Sequence, residues 1–168
     1  MFLSDLDQVR TVAWAKNNLW QVHFVPSPPY PFDTWFPAFD FNMNTAILTT
    51  WHPEGYHQAD TEVPESTTTY TITLGFYDDE NDTLLKYFTD WIDKILGTCD
   101  LGYTEIMPVK QAARMLITKR FNTRRSIVEK SPVTKSLMVI PTGAINFVGS
   151  ANLALNTYSI NFVVVGTA

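Results

Sequence analysis

After Lys135 the chain carries no Asp, Glu, Lys, Arg or His for its remaining 33 residues. An uncharged sheet edge is open to pairing with a neighbouring chain. Residues 136–168 are therefore expected to be covered by the protein's own core or by another subunit. Cysteine is nearly as scarce: Cys99 is the only one, which excludes an internal disulfide. No stretch reaches the roughly 18 uninterrupted apolar residues of a membrane helix. The start, MFLSDLDQVR, has Asp5 and Asp7 where a signal peptide would carry basic residues and then an apolar run. The expectation is a chain that folds in a cytoplasm, which also argues against an outer-membrane barrel.

Catalytic signatures are missing too. There is no Walker motif, no GxGxxG, no GxSxG and no HExxH. His52, Glu54 and His57 lie close together, as zinc ligands often do, but no further ligand accompanies them. A polar loop packed by Trp51 and Tyr56 explains them better, and an enzyme built on them would need bound metal. Cys99 follows a helix C-terminus, the wrong dipole end for an activated thiol. The acidic run at 78–82 lacks the glycine and spaced oxygen ligands of a calcium loop. The expectation is a protein that is not an enzyme and has no cofactor and no metal.

What the chain does have is an uneven charge. The net charge is −5, yet residues 1–105 sum to −12 and residues 106–168 to +7. Half of the basic side chains in the second segment are Lys119, Arg120, Arg124 and Arg125. Beside Phe121 they could suggest nucleic acid, but the acidic remainder opposes generic phosphate binding. Two readings stay open: acidic and basic elements side by side in one domain, or an acidic surface that meets the basic surface of the next copy.

The 45% hydrophobic and 17% charged residues fit one ordered domain spanning 1–168. A short helix is expected over 2–15, with Ser4 as cap, and a strand over 19–25, with His23 opposite its apolar face. Residues 26–37 hold five of the ten prolines and cannot be regular. From 42 to 67 no period is sustained, which marks a long loop. Tyr70, Ile72, Leu74 and Phe76 alternate with threonines as a strand does. Asp78, Asp79, Glu80 and Asp82 then crowd the start of an amphipathic helix. Its stripe is Leu84, Phe88, Trp91 and Ile95, widened by Leu85, Ile92 and Leu96, and Gly97 ends it. Strands are expected at about 112–121, 124–130, 134–140, 144–149 and 157–165. The fold class is mainly β or α+β: an antiparallel β-sandwich or barrel with one amphipathic helix packed on it.

Taken in order, these elements resemble the tail tube proteins of contractile-tailed bacteriophages. The likeness runs from Met1-Phe2 and the short acidic helix through Asn18-Leu19-Trp20-Gln21-Val22 and the long loop to the 70–76 strand. It continues in the acidic turn, the helix with Phe88 and Trp91, Pro141-Thr142 and the closing strand Tyr158-Ser159-Ile160-Asn161-Phe162-Val163-Val164. The family's closing strand commonly ends in an aromatic-rich, acidic tail, whereas here it ends Val165-Gly166-Thr167-Ala168.

The resemblance implies a structural virion protein assembled in the host cytoplasm. Six copies would form a ring with one continuous β-barrel around a lumen, and rings would stack head to tail. The 42–67 loop would reach the next ring through Ile47, Leu48, Trp51 and Tyr56. Lys119, Arg120, Arg124 and Arg125 would be inter-subunit charge contacts. Implied partners are further copies of the chain, a sheath protein outside, baseplate and tail terminator proteins, and phage DNA passing through without sequence-specific binding. A tube initiator of the baseplate shares the pattern. A small monomeric β-barrel holding an apolar ligand among the same aromatics is the alternative from another class.

Overall fold

The computed structural model describes residues 17–44, 47–51, 63–67, 71–97, 108–149, 151 and 153–167, giving only the course of the backbone for 47–51 and 63–67. The helix expected over 2–15, the His52/Glu54/His57 group, Tyr56 and Cys99 lie outside the described residues.

Six strands make one antiparallel sheet: β1 (Trp20–Val25), β2 (Ala38–Met43), β5 (Thr71–Tyr77), β6 (Arg114–Arg120), β7 (Lys135–Thr142) and β8 (Thr157–Thr167). Their order across the sheet is β1-β6-β7-β8-β5-β2. β3 (Ile47–Trp51) and β4 (Val63–Thr67) form a separate antiparallel pair, with Trp51 opposite Val63. Two helices complete the described chain, α1 (Thr83–Leu96) and the single turn α2 (Val109–Ala112).

Alternation decides which face is buried. Val22 and Phe24, Leu116 and Thr118, Leu137 and Val139, Ile160 and Phe162, and Ile72 and Leu74 all point inward. The register sets them side by side: Phe24 opposite Leu116, Leu116 opposite Leu137, and Leu74 opposite Ile160. The sheet curls until its two edge strands almost meet. Trp20 of β1 stacks on Phe41 of β2 with ring centroids 5.5 Å apart, although β1 and β2 share no ladder. The result is a nearly closed barrel.

Helix α1 supplies the rest of the core. Leu84, Phe88 and Trp91 are buried at i, i+4 and i+7, one face of a helix. Phe88 and Trp91 both pack against Phe24 and Phe162, and Phe88 also meets Phe36 and Phe76. The Trp91 indole N–H donates to the Ala112 carbonyl at 2.8 Å, tying α1 to α2 just ahead of β6. Leu85 and Ile95 pack partly on this core, whereas Leu96 is exposed.

The helix start is capped by two carboxylates. Asp78 accepts from the backbone N–H groups of Leu84 at 2.9 Å and Leu85 at 2.8 Å, and Asp79 accepts from Thr83 N–H at 2.9 Å. Asp82 sits at the N-cap with φ 54° and makes no side-chain cap bond. Burial raises the Asp78 pKa against those hydrogen bonds, while the Thr83 N–H lowers that of Asp79 from the ordinary 3.8. Asp79 therefore stabilises the fold fully above pH 3.8, and its contribution is lost as the pH falls through its lower folded pKa. Asp78 acts with the opposite sign. Two predictions arise. Asp78→Ala should cost about 1–2 kcal/mol, read by urea unfolding. Asp79→Asn should flatten the loss of melting temperature below pH 4, and an unchanged acid limb would refute the assignment.

Three expectations need correction. The 42–67 segment is not merely a loop, because it contains the β3/β4 pair. Pro64 lies in that pair, and proline is tolerated where a strand has an unpaired edge. Residues 124–130 do not form a strand. They belong to a turn in which Asn122 Oδ1 accepts from the N–H groups of Arg124 and Ser126, Arg125 has φ 60°, and one bridge links Phe121 to Ile127. Residues 144–149 form no strand either, since β7 already pairs with β6 and β8 on its two sides. Strand β2 was not expected. A bulge between Ala38 and Asp40 breaks its alternation, and Phe39 lies over Gly75, where an added Cβ would meet the Phe39 ring at 2.9 Å.

Candidate assembly surfaces

Four surfaces of the described protein carry features that a self-sufficient core does not need. The first is the outward face of the sheet. On β8 it presents Ser159, Asn161 and Val163, on β5 Thr71 and Thr73, and on β7 Ser136, Met138 and Ile140. Thr73 donates to Asn161 Oδ1 at 2.9 Å across the strands. The only ionised side chain facing outward from the four strands β5 to β8 is Lys119, opposite Gln21 of β1. The missing charge of residues 136–168 is thus explained in part: β7 and β8 sit in the middle of the sheet, with both edges paired within the chain. Their outward face remains neutral and open.

The second surface is the seam. Among the described residues, β1 and β2 each leave one edge without a partner strand. Beside the Trp20–Phe41 stack runs an open groove of about 450 Å³ lined by Asn17, Asn18, Trp20, Ala38, Phe39, Asp40 and Phe41. Free backbone N–H and C=O groups along such an edge are a template for another strand.

The third surface is the basic turn joining β6 to β7. Arg124 and Arg125 are exposed there, with Lys119 and Arg120 half-buried on the strand leading in. The turn is braced from within. Thr134 Oγ1 donates to the Val128 carbonyl at 2.9 Å and accepts from Arg120 N–H, and Thr118 Oγ1 donates to the Val133 carbonyl. The basic side chains therefore stand on a fixed platform. Arg114 behaves differently. Its guanidinium lies 4.7 Å from the Trp91 ring and 4.9 Å from the Tyr87 ring, so this cation is used inside the domain.

The fourth surface is the connection from β7 to β8, which the sequence did not mark as a site. Phe147, Val148, Leu153 and Leu155 are 61%, 75%, 109% and 77% exposed, an unusual display for four large apolar side chains in one segment. The signal that could have found it was the same absence of charge, together with Gly143 and Gly149 bracketing a segment with no strand to pair with.

Of the expected inter-ring anchors, Ile47, Leu48 and Trp51 lie on β3 of the separate strand pair, and Tyr56 lies outside the described residues. This pair leaves the barrel at the end where β2 finishes and β5 begins. The 121–134 turn joins β6 to β7 at that same end, so the expected loop contacts and the expected charge contacts share one end of the barrel. Among the described residues no group of three or more His, Cys, Asp or Glu is placed to hold a metal. No described helix is long and apolar enough to cross a membrane.

No protein-family model matches the chain, and no curated protein matches it. Solved structures do. The tube-terminating cap of the anti-feeding prophage superposes with a TM-score of 0.60 at 11% identity, covering 92% of this chain and 89% of that one. A chain of an extracellular contractile injection system, the PVC sheath–tube complex in its extended state, superposes with a TM-score of 0.59 at 14% identity, covering 94% of this chain and 92% of that one. The fold is that of tube-like proteins of contractile injection systems. At these identities the likeness extends to the fold alone. Both alignments run over nearly the full length of each partner, so the shared architecture includes the barrel and its helix together.

Proposed function

We propose that the protein is a structural, non-catalytic component of a contractile phage tail, forming six-membered rings that stack into the inner tube. The observation that carries this reading is the pairing of two features in one subunit: β1 and β2 edges unpaired among the described residues, and an outward face without charge on β5, β7 and β8. Continuation of the sheet from one copy to the next would satisfy the edges, and a ring closed in this way has no edge left. The neutral face would then line the lumen, where DNA could pass without being held by a basic wall. The aromatic side chains of the interior pack on one another, which counts against a ligand-binding barrel that would need them to line a cavity.

In this reading the partners are further copies, a sheath protein around the tube, baseplate and terminator proteins at its ends, and the DNA inside. The host cytoplasm is the place of assembly and the virion tail the final location. A second reading has its own support: the tube-terminating cap superposes as well as the sheath–tube chain, so a single terminal ring fits the fold too, and a tube initiator would share it. Negative-stain electron microscopy of the concentrated protein separates them. Tubes of indefinite length favour the repeating component, and single rings favour a terminal one. A chain that stays monomeric at every concentration, alone and with its neighbouring tail proteins, would refute both.

A further inference from the structure

We propose that one copy docks on the next by seating the basic β6–β7 turn, with Ile127 at its centre, on the uncharged β7–β8 connection at the opposite end of the barrel. This contact rests on the stacking reading above and names the two surfaces that meet.

The topology separates the two surfaces. β7 runs from the 121–134 turn to the 143–156 connection, and its eight residues span about 25 Å at roughly 3.3 Å per residue. At the first end, Ile127 is 43% exposed between the exposed Arg124 and Arg125 on one side and the exposed Glu129 and Lys130 on the other, four charges that sum to +2. The left-handed Arg125 and the Asn122 hydrogen bonds hold this knob in one shape. At the second end, Phe147, Val148 and Leu155 line an open groove of about 260 Å³ together with Tyr158. Tyr158 is 3% exposed, and its hydroxyl has no hydrogen-bond partner.

Charge arranges the rims in a complementary way. Thr157 at the start of β8 pairs with Tyr77 at the end of β5, so the acidic turn at 78–82 begins beside the groove. The charges of Asp82 and Asp78 are felt at the Tyr158 phenol, which burial raises above its ordinary pKa. Asp33, in the β1–β2 connection, lies at the same end and is exposed. An apolar centre with an acidic rim thus faces one way and an apolar centre with a basic rim faces the other. Apolar centres with charged rims are the anatomy of specific interfaces.

This arrangement also selects the partner and its direction. Two copies meeting through the same patch would set acid on acid or base on base, which costs free energy. Only the head-to-tail contact brings unlike rims together, and a contact between opposite ends of the barrel repeats from one copy to the next. The chain therefore carries both halves of the contact, and the occupant is a second copy.

A charge-swap mixture tests this. One variant carries Arg124→Glu and Arg125→Glu, and the other Asp33→Lys and Glu80→Lys. Asp78 and Asp79 are left alone because they cap α1. All four sites are exposed, so both variants should melt like the wild type. Each variant alone puts like charges together at the contact. Mixed one to one, every contact has unlike rims again. Sedimentation velocity at low salt should show the mixture associating at least about tenfold more tightly than either variant, with the gain lost at high salt. A mixture no better than its parts, or variants that each associate like the wild type, overturns the docking contact. Wild-type protein without rings, alongside a mixture that still associates, removes the tube reading and leaves the contact standing.

Discussion

Replacing Phe88 by alanine should cost about 3–5 kcal/mol, the largest effect expected of any single substitution in the barrel. Phe88 is fully buried, and its ring contacts Phe24, Phe36, Phe76, Tyr87, Trp91 and Phe162. Those partners come from β1, the β1–β2 connection, β5, α1 and β8. Truncation therefore opens a cavity where the helix meets both halves of the sheet, and no single element can relax to fill it. With typical domain stability near 5–15 kcal/mol, much of the chain would be unfolded at moderate temperature. Urea unfolding checks it. A loss below about 1 kcal/mol would mean that α1 does not hold the barrel together as described. Phe88→Leu should recover a large part of the loss, because it restores most of the volume.

The second large effect concerns assembly. Replacing Trp51 and Tyr56 together by serine should leave the domain folded and stop tube growth, shortening tubes at least about tenfold, since buried aromatic anchors dominate interface energies. Trp51 ends β3 in the strand pair that is separate from the six-stranded sheet, so this substitution lies outside the strands of the barrel. Melting curves should superpose on the wild type while electron micrographs show rings or short stacks. Normal-length tubes from the double variant would remove the β3/β4 pair from the account of stacking. They would not affect the charge-swap contact, which uses other residues.

Much of the architecture was legible because it follows from period and capping. The alternation in 70–76 and 157–165 and the Leu84-Phe88-Trp91-Ile95 stripe located β5, β8 and α1 within a residue or two. The acidic crowding before α1 was visible, but not that Asp78 and Asp79, rather than Asp82, reach the helix N–H groups. Side-chain reach depends on the turn, not on position in sequence. β2 escaped because its bulge puts Phe39 out of phase with Phe41. The 124–130 and 144–149 segments looked like strands because they are rich in Ile, Val and Phe, yet a strand needs a partner. The sheet offers none at either place.

The candidate surfaces divide in the same way. The clustering of Lys119, Arg120, Arg124 and Arg125 could be read directly, and the structure adds that Arg124 and Arg125 are exposed at the end opposite the acidic turn. The neutral outward face was foreshadowed by the missing charge. Its explanation changed, since β7 and β8 are covered at both edges by their own chain. The absence of charge and the two glycines mark the β7–β8 connection in the sequence, but not its exposure, because exposure of Phe147 or Leu155 depends on what packs over them.

The central claim is that copies of this chain continue one another's sheet around a six-fold ring. Cryo-electron microscopy of the concentrated protein tests it most directly. The account predicts rings of six in which β1 and β2 edges of neighbouring copies lie at each seam and the Asn161 and Thr73 face lines the lumen. Rings with another face inward, or a particle that stays a monomer up to its solubility limit with its neighbouring tail proteins present, would contradict it.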